Sequence, residues 1–305
     1  MPRETKRNIE ESVRQRLNNL AKTSGREHQD LILSYLMERF LYRLSQTRHK
    51  STFVLKGALM LRLLGGPSLS RATRDIDLLS EKSIALKQAQ LAIEEIVDMP
   101  VPPDGVRFDL NTLKVTEIQG GSRDRGVRAS IIGHIGSARA TLQIDIGSGY
   151  RVVPQADAVE FPQLLNFGSP SLFGYTAESI IADKFEAMVS RDETNTRLKD
   201  FYDISVLLEI RRFEGEILEA AINETFGYYG TLVPNSTPIC FQKEFYDRSD
   251  KKTQWKTFLR NSKIESPYSF QEVVLKVRDF LMPLCSAINK GIAVIKVWEP
   301  SSGWK

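Results

Sequence analysis

Two aspartates separated by a single apolar residue are the side chains that most directly suggest chemistry in this sequence. They are Asp75 and Asp77, in the stretch Arg71-Ala-Thr-Arg-Asp-Ile-Asp-Leu-Leu79. On a β-strand, residues i and i+2 share a face, so the two carboxylates converge while Ile76 points into the core. Adjacent anions repel each other unless a cation compensates them, and Mg²⁺ is a common hard partner of paired carboxylates. The pair therefore predicts phosphoryl or nucleotidyl chemistry, although the same pattern also occurs on solvated strand edges and in turns without a catalytic role.

The residues upstream of this pair predict elements that could position a phosphate. Residues 52–55 are typical of a strand, Lys56-Gly57 of a turn, and the apolar stretch beginning at Ala58 of a helix. Gly57 lets the backbone turn sharply, and the first free N–H groups of the helix near Ala58 could bind a nucleoside triphosphate. The alternative is that Gly57 only makes a tight turn.

A third acid interrupts a strand-like stretch further along the chain. Residues 140–147 alternate as a strand does, and Asp145 lies between Ile144 and Ile146 in a run that otherwise looks core-like. A carboxylate in such surroundings needs a partner.

Five motifs then occur in order along roughly residues 50 to 210. They are Leu55-Lys-Gly-Ala58, Arg74-Asp-Ile-Asp-Leu78, Ile144-Asp-Ile146, Glu178-Ser-Ile-Ile-Ala-Asp-Lys-Phe-Glu-Ala187 and Arg197-Leu-Lys-Asp-Phe-Tyr-Asp-Ile204. Together they resemble the AbiEii/MenT-type nucleotidyltransferase toxins, which belong to the polymerase-β-like nucleotidyltransferase superfamily. The resemblance implies a toxin from a bacterial toxin–antitoxin or phage-abortive pair that acts with a nucleoside triphosphate and a divalent metal.

The same resemblance implies roles for individual residues. Asp75, Asp77 and Asp145 become catalytic carboxylates that bind Mg²⁺ or Mn²⁺. The resemblance also implies catalytic roles for Lys184 and Asp200. It implies that the nucleotide is bound by Lys56, Gly57, Ala58, Arg74 and Lys184. The family has Gly-Gly or Gly-Ser at the turn, whereas this chain has Ala58, so a phosphate contact there must come from backbone N–H groups. Asp200 and Asp203 lie three residues apart on one helical face, and their individual roles stay open.

The resemblance also implies a substrate and partners. It predicts transfer of a nucleoside monophosphate to an RNA acceptor, with the tRNA 3′ end foremost, so that translation is blocked, and a cognate antitoxin as the protein partner. The sequence does not distinguish among the four nucleoside triphosphates, and CTP is the first guess. Two alternatives remain: nucleotidylation or phosphorylation of a protein partner, and a non-catalytic RNA-binding pseudo-enzyme.

Charge is distributed unevenly along the 305 residues. The net charge is +4, but residues 1–74 contain 15 Lys and Arg against 6 Asp and Glu. A basic first quarter would attract the phosphates of RNA, and the candidate contacts are Arg39, Arg43, Arg62 and Arg71. An ordinary solvated helix face explains the same pattern.

Composition limits the class of protein. With 41% apolar residues the chain can bury a sizeable core. No stretch approaches the roughly 18 apolar residues of a membrane span, and the charged N-terminus lacks the apolar segment of a signal peptide. Cys240 and Cys285 are far apart and form no metal-binding motif, which favours a reducing compartment. We therefore expect a cytoplasmic enzyme without a membrane partner.

The pattern of apolar residues predicts an α+β fold of two lobes. Strands are expected near 52–55, 75–79, 106–118, 127–134 and 140–147, forming a small mixed sheet in a polymerase-β-like nucleotidyltransferase lobe. The predicted organisation is an N-terminal helical segment (1–50) packed on the catalytic lobe, a nucleotidyltransferase core (51–165) and a helical C-terminal lobe (166–305). In the last of these, Thr176 is the expected N-cap of the first helix.

Overall fold

The chain folds into two compact units. The computed structural model describes residues 3–66, 73–118, 126–149, 151–300 and 302–305. The first unit is drawn from Met1–Leu63, Ala72–Tyr150 and Asp157–Gly174, and the second from Leu64–Arg71, Arg151–Ala156 and Tyr175–Lys305. Within the described ranges, no helix combines the length and the apolar character needed to cross a bilayer.

The first unit consists of helices packed against one sheet. Its elements are α1 (Arg3–Ser24), α2 (His28–Gln46), β1 (Phe53–Lys56), α3 (Gly57–Gly65), β2 (Asp75–Ser80), α4 (Leu86–Val97), β3 (Arg107–Glu117), β4 (Gly126–Ile135), β5 (Ala138–Ser148), β6 (Asp157–Glu160) and β7 (Ser171–Gly174). The five predicted strands are confirmed as β1 to β5, and the predicted helix after Gly57 is confirmed as α3. The strands β6 and β7 were not predicted.

The sheet has seven strands in the order β3-β4-β5-β2-β1-β7-β6. It is mixed, as predicted, because β2 runs parallel to β5 and β1 runs parallel to β7, while the other neighbours are antiparallel. Ile76 and Ile144 face the core and are fully buried. Helix α2 packs on this buried face, since a Cβ added to Gly133 would lie 2.8 Å from a methyl carbon of Leu36. The alternation of side chains therefore leaves the aspartates on the opposite face.

A tight hairpin joins β4 to β5. Ile135 pairs with Ala138, so only two residues form the turn. This short connection fixes the register of the whole pair. Seven residues from the turn on each strand, Arg128 of β4 lies directly opposite Asp145 of β5.

Two arginines of α2 are buried in an ion-pair cluster rather than exposed. Arg39 is 0% exposed and Arg43 is 5% exposed. The Nε atom of Arg39 donates to Oδ2 of Asp104 at 3.1 Å, and the two Nη atoms of Arg43 donate to the same carboxylate at 2.7 and 3.1 Å. The prediction that Arg39 and Arg43 bind RNA is therefore wrong, because neither guanidinium can reach a ligand in solvent.

The second unit is mainly helical. Its elements are α5 (Ala177–Arg191), α6 (Leu198–Ile210), β8 (Phe213–Glu214), α7 (Gly215–Tyr229), α8 (Lys243–Tyr246), α9 (Ser249–Ser262), α10 (Phe270–Lys290), β9 (Val297–Glu299) and β10 (Gly303–Trp304). Thr176 caps α5 as predicted, since its hydroxyl accepts from the backbone N–H of Ser179 at 3.2 Å. The sequence did not reveal the three-stranded sheet β10-β9-β8.

Candidate active site

Three carboxylates meet on the open face of the sheet, the face that α2 does not cover. Asp75 and Asp77 belong to β2, and the parallel register places Asp77 beside Asp145 of β5 and Asp75 beside Gln143. One oxygen from each of the three aspartates lies within 4.8 Å of the others, and all three residues are half-buried. Three hard oxygen donors at this separation fit a divalent cation such as Mg²⁺.

Gly57 makes room for one of these carboxylates. It starts α3 directly after β1 with φ +68°, a conformation that favours glycine. A Cβ added at this position would lie 1.9 Å from Oδ2 of Asp77 and 2.6 Å from its Cγ. Glycine is therefore required at this position for two reasons: the backbone turns with a positive φ, and the Asp77 side chain approaches closely.

Neighbouring polar groups hold two of the aspartates. The Thr73 hydroxyl donates to Oδ1 of Asp75 at 2.7 Å. The side-chain amide of Gln143 donates to Oδ2 of Asp145 at 3.4 Å. These bonds orient carboxylates without neutralising their charge.

Arg128 on β4 is a bidentate partner of the cluster. Its Nε and Nη2 atoms donate to the two oxygens of Asp145 at 2.8 and 2.7 Å. The hydrogen bond to Asp145 raises the pKa of the Arg128 guanidinium, and the charges of Asp75 and Asp77 act in the same direction. The arginine therefore acts as a counter-ion for the whole cluster. Sequence analysis missed it, although the two-residue hairpin turn was a signal that could have placed it opposite Asp145.

The other candidate catalytic residues form a separate cluster in the second unit. Nζ of Lys184 on α5 donates to Oδ1 of Asp200 at 2.6 Å and to Oδ2 of Asp203 at 2.8 Å, both on α6. Burial disfavours the charged form of Lys184, but the two aspartates outweigh it and raise the lysine pKa. Burial likewise opposes ionisation of Asp200, yet Lys184 and Arg197 keep its pKa below the ordinary value. Both shifts favour the charged forms of Lys184 and Asp200.

The remaining predicted ligands are placed as follows. Lys56 is the last residue of β1 and lies opposite Asp77 in the register, on the same face as the carboxylates. Ala58 is buried in the first turn of α3, so only its backbone can contact a phosphate. Arg74 is exposed immediately before β2. Arg62 is half-buried on α3, and Arg71 lies outside the described residues.

Comparisons with known proteins identify a family. The family model for the nucleotidyl transferase AbiEii toxin, Type IV toxin–antitoxin system, matches residues 39–276. Two crystal structures from Helicobacter pylori are similar at 18% identity: a candidate nucleotidyltransferase (TM-score 0.46, covering 87% of this chain and 98% of the other) and the protein JHP933 (TM-score 0.45, covering 87% and 95%). No curated protein matches the sequence. Because the family model spans most of the chain, this protein belongs to the AbiEii nucleotidyltransferase toxin family.

Proposed function

We propose that this chain transfers a nucleoside monophosphate from a nucleoside triphosphate to a hydroxyl of RNA, with the tRNA 3′ end as acceptor and pyrophosphate as the second product. Convergence of Asp75, Asp77 and Asp145 within 4.8 Å is the observation that carries this proposal. Family membership supports the reaction class and the role as a toxin. Beyond the family, we propose that the acceptor is RNA, that the acceptor hydroxyl is at the tRNA 3′ end, and that CTP is the preferred nucleotide.

The chemistry of the cluster suits a divalent metal. Asp75, Asp77 and Asp145 would hold Mg²⁺ or Mn²⁺ through carboxylate oxygens, the donors these ions prefer. When bound, such an ion supplies Lewis acidity and neutralises charge at the reacting phosphate. Because Gly57 has no side chain, the Asp77 carboxylate can occupy its position in the cluster.

The nucleotide would contact groups around the same face. Backbone N–H groups at the start of α3, next to Gly57 and Ala58, have no partner within the helix and suit phosphate oxygens. Lys56 and Arg74 would add positive charge. Lys184 and Asp200 belong to the second unit, and their part in nucleotide binding and catalysis is proposed from the resemblance of their motif. As the acceptor oxygen bonds to the α-phosphorus, the bond from that phosphorus to pyrophosphate breaks.

The biological setting follows from the family. A Type IV toxin has an antitoxin, so we expect a cognate antitoxin protein to oppose this chain. Modification of tRNA would act in the cytoplasm, where we place the protein. Transfer to the 3′ end would prevent aminoacylation and stop translation.

The direct test is transfer of label in a purified system. The protein would be incubated with Mg²⁺, total bacterial tRNA and each of the four α-³²P nucleoside triphosphates, alongside Asp77→Asn. The matched control is Asp157→Asn, an exposed aspartate on β6. We expect label in tRNA with wild type and with Asp157→Asn, and none with a folded Asp77→Asn.

Other outcomes would overturn parts of the proposal. Full activity of a folded Asp77→Asn protein would rule out the carboxylate cluster as the metal site. Label on a protein, or transfer of the γ-phosphate, would replace the RNA acceptor with a protein or the reaction with phosphorylation. Tight RNA binding without any transfer would favour a non-catalytic RNA-binding protein.

A further inference from the structure

The register of the sheet arranges the side chains of its open face in rows that cross several strands. The row at the carboxylates contains Thr116, Arg128, Asp145 and Asp77, from β3, β4, β5 and β2 respectively. The next row contains Lys114, Ser130, Gln143 and Asp75. Further along the same strands a row contains only basic side chains, Arg107, His134 and Arg139. The row before it contains Asp109, Ile132 and Thr141, and Oδ1 of Asp109 accepts from the backbone and side-chain N–H groups of Asn111. On β4 and β5 themselves, the acid Asp145 lies at one end of this face and the basic residues His134 and Arg139 lie at the other.

The basic end of this face is open to solvent. Arg107, Lys114 and Arg139 are exposed, and His134 between them is half-buried. The opposite face of the same strands is closed: Ala129, Ile131 and Ile135 of β4 are fully buried. The basic residues are thus available to a ligand that lies along the sheet.

These cations differ from other exposed arginines of the chain. Arg48, Arg212 and Arg248 each form an ion pair with a nearby carboxylate. Among the residues that the structure describes, no carboxylate forms an ion pair with Arg107, Lys114 or Arg139. Arg107 and Arg139 each lie directly opposite His134, so the register brings two guanidinium groups into one row. A row with two arginines and no acid is therefore suited to an anion from outside the protein.

The spacing fits a chain of phosphates. Arg128 and His134 are six residues apart on β4, so the acidic and basic rows lie about 20 Å apart at roughly 3.4 Å per residue. Lys114 lies between them, with the hydroxyl of Ser130 beside it. A single phosphate would use one row only, whereas a polynucleotide could contact both Lys114 and the basic row.

Resting on the proposed transfer to RNA, we propose that the open face of β3, β4 and β5 binds the phosphate backbone of the acceptor strand. We name this surface the acceptor track and define it by Arg107, Lys114, Ser130, His134 and Arg139. The 3′ end of the RNA lies at the carboxylates, and the preceding phosphates contact the track. Because cations and hydroxyls bind phosphates without reading bases, the track recognises a single-stranded RNA end independently of its sequence.

The test removes the two arginines of the basic row. The variant is Arg107→Gln/Arg139→Gln, and the matched control is Lys22→Gln/Lys87→Gln, which removes two exposed charges from α1 and α4. Fluorescence anisotropy would give the Kd for labelled tRNA at several salt concentrations. We expect the variant to bind tRNA about tenfold more weakly. The slope of log Kd against log salt concentration should fall by about 1.5, since two phosphate contacts are lost. The control should bind as wild type does.

Steady-state transfer separates this inference from the proposed function. The variant should raise KM for tRNA and leave kcat unchanged, and Arg107→Lys/Arg139→Lys should restore binding because the charge is kept. Unchanged Kd and KM in an enzyme that does label tRNA would overturn the acceptor track alone. Failure of the wild type to label any RNA would overturn the proposed function. In that case the Kd values of wild type and variant for tRNA would still show whether this surface binds RNA. Weakening of the same size in the control would show a general charge effect and overturn the track.

Discussion

Arg128 donates to both carboxylate oxygens of Asp145, at 2.8 and 2.7 Å, and so places a positive charge against the third acid of the cluster. The side chain of Arg128 is 47% exposed. A bidentate arginine and a metal ion bound to the same carboxylate repel each other. The cluster is therefore balanced by a cation of the protein itself.

Replacing Arg128 should strengthen metal binding. We expect Arg128→Gln to bind Mn²⁺ about tenfold more tightly than wild type, a change of about 1.4 kcal/mol, because Asp145 loses the cation that competes with the metal. Electron paramagnetic resonance of free Mn²⁺ would measure the affinity. Arg139→Gln is the control, since it removes an arginine from the same face without contacting Asp145. Weaker Mn²⁺ binding in Arg128→Gln would show instead that the arginine orients Asp145 as a ligand.

Substitution of Gly57 should disturb the site as well as the backbone. In Gly57→Ala the new methyl group would overlap Asp77, so we expect at least tenfold loss of Mn²⁺ affinity, measured by calorimetry. Gly25→Ala is the matched control, because Gly25 has a similar φ of +67° but nothing within 4 Å of an added Cβ. Both variants should lose about 1–2 kcal/mol of stability from the left-handed backbone alone. Equal metal affinity in the two variants would contradict the proposed role of Gly57.

Lys184 should be essential for stability. In Lys184→Met the carboxylates of Asp200 and Asp203, which are 4% and 0% exposed, lose their shared cation. Removing one partner of a buried ion pair costs about 3–5 kcal/mol, which urea unfolding would detect. Lys184→Met/Asp200→Asn/Asp203→Asn should recover much of this loss, since no buried charge is left uncompensated. A stable single variant would show that the cluster does not support the fold.

Glu38 should make stability depend on pH. Burial raises its pKa to about 7, while the backbone N–H of Leu164 and the Arg39 side chain oppose this shift. An unfolded glutamate titrates near 4.5, so the folded chain binds the proton more tightly between the two values. Its stabilising effect is complete below about pH 4.5 and is lost as the pH rises through about 7. The free energy of unfolding of wild type relative to Glu38→Gln should therefore fall by a few kcal/mol over this range and then stay constant; a difference that does not vary with pH would contradict the assignment.

Alternation of apolar residues was sufficient to find the strands that carry the site. Ile76 and Ile144 are buried between polar neighbours, as a two-residue period requires, and this places the aspartates on one face. The strands β6 to β10 were not predicted, because runs of two to four residues contain little alternation. The equally short β1 was predicted because it begins with three consecutive apolar residues, Phe53-Val54-Leu55. Pairing of β2 with β5 also depends on contacts distant in sequence, which no local pattern contains.

Charge along the sequence does not distinguish RNA contacts from buried ion pairs. Buried arginines are uncommon, and Asp104, the partner of Arg39 and Arg43, lies in a loop about 60 residues away in the sequence. Arg107 and Arg139 stand alone in the sequence, so no local cluster of charge marks them. Only the register of β3, β4 and β5 brings them into one row.

The parallel pairing of β2 with β5 has a consequence for synthesis of the protein. Asp77 and Asp145 are neighbours in the sheet but almost 70 residues apart along the chain. A growing polypeptide that has not yet released β5 from the ribosome lacks the third carboxylate, and the arginine that balances it has no partner. Prematurely terminated fragments ending before Asp145 would therefore lack the complete carboxylate cluster, and we expect them to be harmless to the cell that makes them.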